Sequence, residues 1–297
     1  MATADVVIVS YNSAEHLRAC VEPLAGLPEV NVIVVDNASA DESLSTVADL
    51  PVTAIQRSTN DGFATGCNAG WQAGSAPFVL FLNPDATIDE RSLFRLVEVL
   101  ERDPRAGIAA PRIERNDGSL VYSLRRFPRL RSTYARAFFL HRVFPRGVWT
   151  DEVVRDERWY VAEGEPEWVS GAGLLARRAV LQEIGGFDER FFLYCEDKDL
   201  CRRVWDAGFT VKYEPHALVR HVGGASTAPN RFQAVLASSR ALYADKHCSP
   251  LGAVLERLGI ALSAASHALL GRRQARRDHF RALLTTLGRS PGRPRGS

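Results

Sequence analysis

Apolar positions in the first hundred residues fall into short unbroken runs separated by stretches with helical spacing. Residues 6–9 and 32–35 are runs of Val and Ile, and between them Leu17, Val21 and Leu24 recur on one side of residues 14–27. That order predicts a β-α-β opening. A further strand is expected at 52–56, a helix at 66–73 and a buried strand at 78–82. Asp89 reads as the N-cap of a helix running to Leu100, and Pro104 and Gly107 punctuate its end. The alternation implies an α/β fold, a mainly parallel sheet flanked by helices, with ligands bound at the carboxyl ends of its strands.

Beyond position 112 the pattern loosens. Residues 112–158 are rich in aromatics and in Arg, with Arg125, Arg126, Arg129, Arg131, Arg136, Arg142 and Arg146, and read as loop and helix at the rim of a site. Regularity returns with an apolar strand at 168–176, a helix at 178–184, a turn at Gly185 and Gly186, a helix at 197–207 and a short strand at 211–213. The expected organisation is one α/β domain over 1–230, in two halves covering 1–110 and 111–230. A basic helical extension (231–288) and a disordered tail (289–297) rich in Gly, Pro and Arg follow.

Composition narrows the class. A chain of 297 residues, 46% hydrophobic and 24% charged, can bury a full core. Its formal charge of +2 hides an asymmetry, because residues 231–297 carry twelve Arg and Lys against three Asp and Glu. The remainder is therefore acidic. Acidic residues suit metal chelation, and a basic end suits phosphate or an anionic membrane surface. Five cysteines, Cys20, Cys67, Cys195, Cys201 and Cys248, show no CxxC pair, which argues against a disulfide framework or structural zinc and for a cytoplasmic setting. No secretory signal is read at the start, and the apolar stretch 251–270 is broken by Glu256, Arg257 and His267.

Polar residues stand where strands should end. Ser10, Tyr11 and Asn12 follow the first strand, and Asp36 and Asn37 end the second. Tyr11 offers a stacking face and Asp36 an acceptor for a base N–H or a ribose hydroxyl, although Ser10, Asn12 and Asp36, taken one at a time, read better as residues that end strands and cap helices. Asn83-Pro84-Asp85 follows an apolar strand and fits a hard-cation site beside a diphosphate as well as it fits a plain turn. Glu196, Asp197 and Asp199 open a helix next to aromatics. Desolvation and the helix N-terminus act oppositely there, so a moderate net pKa shift is expected, with Asp197 as the functional group and Asp199 as a support. His221, before Gly223 and Gly224, suits a metal ligand beside a phosphate-covering loop, although a lone His is more often simply a hydrogen-bonded residue.

Taken in series, these motifs resemble the family 2 inverting glycosyltransferases of the GT-A fold, and within them the bacterial rhamnosyltransferase-like branch. The resemblance spans residues 5–226 and rests on Val-Ser-Tyr-Asn (9–12), Val-Asp-Asn-Ala-Ser (35–39), Asn-Asp-Gly-Phe-Ala (60–64) with Asn68 and Gly70, Asn-Pro-Asp (83–85), Trp-Val-Ser-Gly-Ala (168–172), Gly-Gly-Phe-Asp (185–188), Glu-Asp-x-Asp-Leu (196–200) and the His221 loop. It implies a nucleotide-sugar donor held by Ser10, Tyr11, Asn12, Asp36, Asn37, Asn60, Gly62, Phe63, Asn68, Asn83 and Asp85. It further implies Mg²⁺ or Mn²⁺ on Asp85 and His221, Asp197 as catalytic base, and an acceptor side formed by Trp168, Ser170, Gly171 and Glu196. The donor suggested is dTDP-L-rhamnose, with a UDP-hexose or UDP-galactofuranose as alternatives, and the acceptor a saccharide or polyprenyl-linked saccharide. Two departures stand out: the usual Asp-x-Asp is Asn83-Pro84-Asp85, and Cys67 occupies a position where many relatives carry Arg.

The basic stretch with Arg272, Arg273, Arg276, Arg277 and Arg281 suits peripheral contact with the anionic inner face of the cell membrane, a solvated helix face or a homodimer contact. Rival classes lack their signatures. No Gly-rich, Lys/Arg-bearing phosphate loop follows the first strand, as a nucleotidyltransferase would need, and no GxGxxG marks nicotinamide chemistry. Nucleic-acid binding has no motif in its favour. A catalytically silent scaffold would be expected to have lost Asp85, Asp197 and His221.

Overall fold

A computed structural model describes residues 2–144, 147, 149–170, 172–223, 232–270 and 273–287. The run of apolar residues in β1 (Ala4–Ser10) is explained by burial on both faces. Val6 and Ile8 join one core, and Val7 and Val9 join the other. Helix α1 (Ala14–Val21) buries Leu17 and Val21 as its spacing predicts, but it ends six residues before the expected 27. Pro23 cannot donate a helical hydrogen bond, and the chain closes instead in a turn with Leu24 N–H on Val21 O at 3.0 Å. β2 (Val30–Asp36) and β3 (Thr53–Gln56) follow, then α2 (Phe63–Ala73). This helix lies so close to β1 that a Cβ on Gly70 would come within 2.3 Å of Val7 Cγ1.

β4 (Phe78–Leu82), β5 (Ala86–Ile88), α3 (Glu90–Arg102) and β6 (Ala106–Glu114) complete the first half. Asp89 caps α3 as expected, accepting from Ser92 N–H at 2.7 Å. The irregular Arg-rich stretch holds β7 (Leu124–Arg125), α4 (Leu130–Ala137) and α5 (Leu140–Val143); Arg146 lies outside the described residues. The single strand expected at 168–176 is two, β8 (Trp168–Val169) and β9 (Gly173–Arg177), because the first pairs with β7 and the second with β4 and β6 in a different sheet. After α6 (Arg178–Ile184) and α7 (Glu196–Asp206), β10 (Thr210–His221) runs eight residues past its expected end at 213. A register shift between Glu214 and Leu218, around Pro215, hides its alternation.

Among the described residues the main sheet has the order β3-β2-β1-β4-β9-β6-β10-β5. The β3–β2–β1–β4 and β6–β10 pairings are parallel, while β9 runs antiparallel to β4 and β6, and β5 antiparallel to β10. β7 and β8 form a separate ribbon. Three helices, α8 (Gln233–His247), α9 (Pro250–Leu270) and α10 (Arg273–Leu287), form the expected helical end. They are not a detached appendage, because Ser239, Lys246 and His247 of α8 bond to Leu193, Asp188 and Asp199 in and before α7, and Arg240 bonds to Glu152. No described helix is long and apolar enough to cross a membrane. The tail at 289–297 lies outside the described residues.

Candidate functional site

Strand register sets the site. Ser10 pairs with Asp36 and Asp36 with Gln56, so three adjacent parallel strands end level, and β4 releases Asn83-Pro84-Asp85 beside them. β10 then carries His221 back to this edge, opposite Ala86 of β5. The result is His221 Nε2 3.0 Å from Asp85 Oδ1, the pairing expected of two metal ligands. Burial opposes ionisation of Asp85, but the hydrogen bond and charge of His221 outweigh it and hold the carboxyl below its ordinary range. Val222 N–H also bonds Asp85 O at 3.0 Å. Among the described residues no third His, Cys, Asp or Glu joins the pair. Gly224, Ala225 and Ser226 lie outside the described residues.

The donor-side residues divide into an exposed set and an inward set. Tyr11 is 42% exposed, and Asn12, with left-handed φ of 51°, is open to solvent, its Oδ1 accepting from Ala40 N–H at 2.8 Å. Ser10, Asn37, Gly62 and Asn68, expected at the donor, are instead buried. Asn37 donates to Gly62 O at 3.0 Å. Asn68 ties α2 to the 185–189 turn, donating to Phe187 O and Glu189 Oε1 and accepting from Phe187 N–H, each at 2.9 Å. Their physical work is to shape the wall. Asp36 is also buried and accepts from Ser39 N–H at 3.0 Å and from the Ser39 hydroxyl, so the cap role that its sequence favoured when read alone is filled. Asn60 Oδ1 accepts from Gly62 N–H at 3.0 Å, Phe63 and Asn83 are half-buried, and Asn83 N–H bonds Ala172 O at 3.1 Å.

The second half of the site is α7 and the loop before it. Phe63 N–H donates to Phe192 O at 2.8 Å, joining the Asn-Asp-Gly-Phe turn to this loop. Tyr194 and Cys195 follow in left-handed backbone (φ 68° and 67°), and Glu196 and Asp197 form the first turn of the helix. Asp197 is half-buried, its Oδ1 accepting from Lys198 N–H at 2.7 Å. The shift exceeds the moderate one expected for this acidic turn: burial first, then the adjacent Asp197 charge, pushes the Glu196 carboxyl well above its ordinary range, and its Oε2 has no hydrogen-bond partner. Asp199 is the support expected, bonded to Arg203 at 2.8 Å and to Lys246 and His247 at 2.7 Å each.

On the expected acceptor side, Ser170 is half-buried and Gly171 lies outside the described residues. Trp168 is placed differently from a contact surface: it is buried, donates its indole N–H to Arg126 O at 2.8 Å, and carries Lys198 at 4.9 Å over its ring. Cys67 is buried at 0% exposure, so it cannot replace an Arg at a diphosphate. All five cysteines are free thiols. The sequence reading missed Arg57, a half-buried guanidinium next to the level strand ends, held by Asp61 at 3.1 Å. Its signal was a cation immediately after β3. A surface hollow of about 400 Å³ between α3 and β10 is lined by Asp103, Glu165 and Lys212. Lys212 lies nine residues before His221, roughly 25–30 Å along the strand, so the hollow is separate from this site.

Comparison with known proteins agrees with the geometry. Residues 5–157 match the family described as glycosyl transferase family 2. Over 96% of its length the chain is 34% identical to the N-acetylglucosaminyl-diphospho-decaprenol L-rhamnosyltransferase of Mycobacterium tuberculosis, covering 98% of that protein. Among solved structures it resembles the mannosyltransferase PcManGT from Pyrobaculum calidifontis in complex with GDP-Man and Mn²⁺ (TM-score 0.57, 17% identity, 97% of this chain and 81% of that one). S. aureus TarS 1–349 with UDP-GlcNAc is similar at TM-score 0.57 and 16% identity, with 97% and 81% covered.

Proposed function

Because this chain belongs to glycosyl transferase family 2 and has the GT-A fold, we propose that it transfers L-rhamnose from dTDP-L-rhamnose, with inversion, to a hydroxyl of a polyprenyl-diphosphate-linked saccharide in cell-wall polysaccharide synthesis. The observation that carries the reaction class is the Asp85–His221 contact at the level carboxyl ends of the strands. Support for this donor and acceptor comes from the full-length likeness to an enzyme named for rhamnosyl transfer to a decaprenol-linked sugar.

Asp85 and His221, one carboxylate and one imidazole in contact, would hold a divalent cation beside the donor diphosphate. An imidazole ligand suits Mn²⁺ better than Mg²⁺, which prefers oxygen. When bound, the cation neutralises charge on the departing nucleoside diphosphate. The protein's own work is then positional. Tyr11 stacks on the base, the open lone pairs of Asp36 accept from it, and Asn83 faces the diphosphate. Asp197 accepts the proton of the acceptor hydroxyl as that oxygen attacks the anomeric carbon from the face opposite the leaving group, and a single displacement inverts the centre.

Contact with an anionic bilayer is part of the proposal. α9 exposes Leu251, Val254, Leu258, Leu262 and Leu269, which recur every three, four or seven positions on one side of the helix, and α10 exposes Phe280 and Leu284 beside Arg277 and Arg281. Arg272 and the side chains of Arg273 and Arg276 lie outside the described residues. The test of function is a turnover screen of dTDP-rhamnose, UDP-hexoses and UDP-galactofuranose against a polyprenyl-diphosphate-linked amino sugar, with Mn²⁺, Mg²⁺ or chelator. Preference for dTDP-rhamnose, lost with chelator, supports the reading; preference for a uridine donor, or turnover in chelator, contradicts its donor or its metal. Flotation with phosphatidylglycerol vesicles tests the bilayer contact, and equal recovery with and without residues after Ser249 would end it.

A further inference from the structure

We infer that helix α8 is a clamp that sets the position of the base-bearing first turn of α7, and that Lys246 is its chief positioning residue. The inference rests on the reading of Asp197 as the base.

The segment that delivers Asp197 carries backbone strain. Tyr194 and Cys195 adopt left-handed backbone in succession, a conformation that residues with a Cβ disfavour and that persists only where surroundings impose it. Cys195 is also the N-cap of α7 and gives no side-chain cap hydrogen bond. Bonds from outside the segment, Phe63 N–H to Phe192 O among them, help to hold that strained backbone.

α8 adds restraint at four points. Ser239 Oγ donates to Leu193 O at 2.8 Å. Tyr243 packs with Phe191 and Cys195 in a small buried cluster. Arg240 meets Glu152 Oε1 at 3.3 Å while Lys198, next to Asp197, meets Glu152 Oε2 at 2.8 Å. At the end of the helix Lys246 Nζ bridges Asp188 Oδ2 and Asp199 Oδ1, both at 2.7 Å, and His247 Nε2 shares the same Asp199 oxygen at 2.7 Å. Asp188 lies before the left-handed pair and Asp199 after it, so one ammonium fixes both ends of the twelve-residue span that contains Asp197. Asp199 is fully buried. Burial opposes its charge, yet the bonds from His247, Arg203 and Lys246 keep the carboxyl below its ordinary range. The motif acids Asp188 and Asp199, which the transfer step leaves without a task, thereby acquire one.

The chemistry demands such precision, since displacing a reacting group by about 1 Å costs on the order of a hundredfold in rate. The test is full-chain Lys246→Met, Lys246→Arg and the milder Ser239→Ala, with kcat normalised to the fraction that binds donor. The expected result for Lys246→Met is a kcat lowered about a hundredfold with donor KM within about twofold, for Lys246→Arg recovery to within a few-fold, and for Ser239→Ala a several-fold loss in kcat alone. If Lys246→Met does not fold, the Ser239→Ala split between kcat and KM decides. Wild-type kcat in the folded variants, or a loss that disappears on normalisation, overturns the clamp. Asp197→Asn run alongside separates the two ideas: if it is inactive while the α8 variants are unimpaired, the base stands and the clamp falls, and if it is active the base reading itself has failed.

Discussion

His221 Nε2 lies 3.0 Å from Asp85 Oδ1 across a sequence separation of 136 residues, and this contact forms because β10 returns antiparallel to the three-residue strand β5. The pair places a carboxylate and an imidazole where β4 ends. Asp85→Asn and His221→Ala are each expected to raise the Mn²⁺ concentration for half-maximal donor binding by about tenfold to a hundredfold or more, since even residues behind a metal ligand contribute that much. Titration calorimetry with donor and Mn²⁺ reads this; unchanged midpoints in both variants would remove the metal assignment.

Much of this arrangement was legible in the sequence because local chemistry carried it. The apolar runs at 6–9, 32–35 and 78–82 are strands because each is buried on both faces, and the polar residues that end them lie at one edge. What was not legible depended on contacts distant in sequence. Pro215 and the register shift hid the length of β10, and the break between β8 and β9 lay inside an apolar run. Nothing in the spacing of Asn37 and Asn68 revealed that their amides face inward to bind backbone, nor that Glu196 rather than Asp197 is the more deeply buried acid.

Gly62 is required by its surroundings. Its φ is +100°, and an added Cβ would stand 2.3 Å from Phe192 O, in the loop that leads to Asp197. Gly62→Ala is expected to cost about 1–3 kcal/mol and to lower transfer, measured by urea unfolding and initial rates. A variant with wild-type stability and rate would show that this packing is dispensable.

Glu152 is a buried carboxylate held down to about 2 from an ordinary 4.5: burial opposes its charge, but Lys198 and Arg240 outweigh it. A depressed acid stabilises the fold fully above its unfolded value, and the contribution is lost as pH falls from about 4.5 toward about 2. Glu152→Gln, which strands the buried Lys198 and the half-buried Arg240, should therefore cost about 3–5 kcal/mol at neutral pH, with a deficit that shrinks through that acid window. Denaturant melts at stepped pH measure it, and a deficit independent of pH would contradict the ion-pair account.

Glu196 behaves oppositely. Its carboxyl is raised by burial, so the fold retains a proton that the unfolded chain releases, and stability declines as pH rises above the ordinary carboxylate range. Glu196→Gln removes that dependence. Its stability relative to the natural chain is expected to grow with pH, by up to about 1.4 kcal/mol per unit within the window. Parallel urea titrations between acid and neutral pH will show this, and a constant gap would mean that Glu196 is ionised in the fold.

The central claim is that Asp197 takes the proton from the acceptor. Asp197→Asn keeps the size of the side chain and removes its basicity, so single-turnover transfer to the lipid-linked acceptor should fall about a hundred- to ten-thousand-fold while donor and Mn²⁺ bind as before. Transfer by that variant at close to the natural rate would contradict the mechanism.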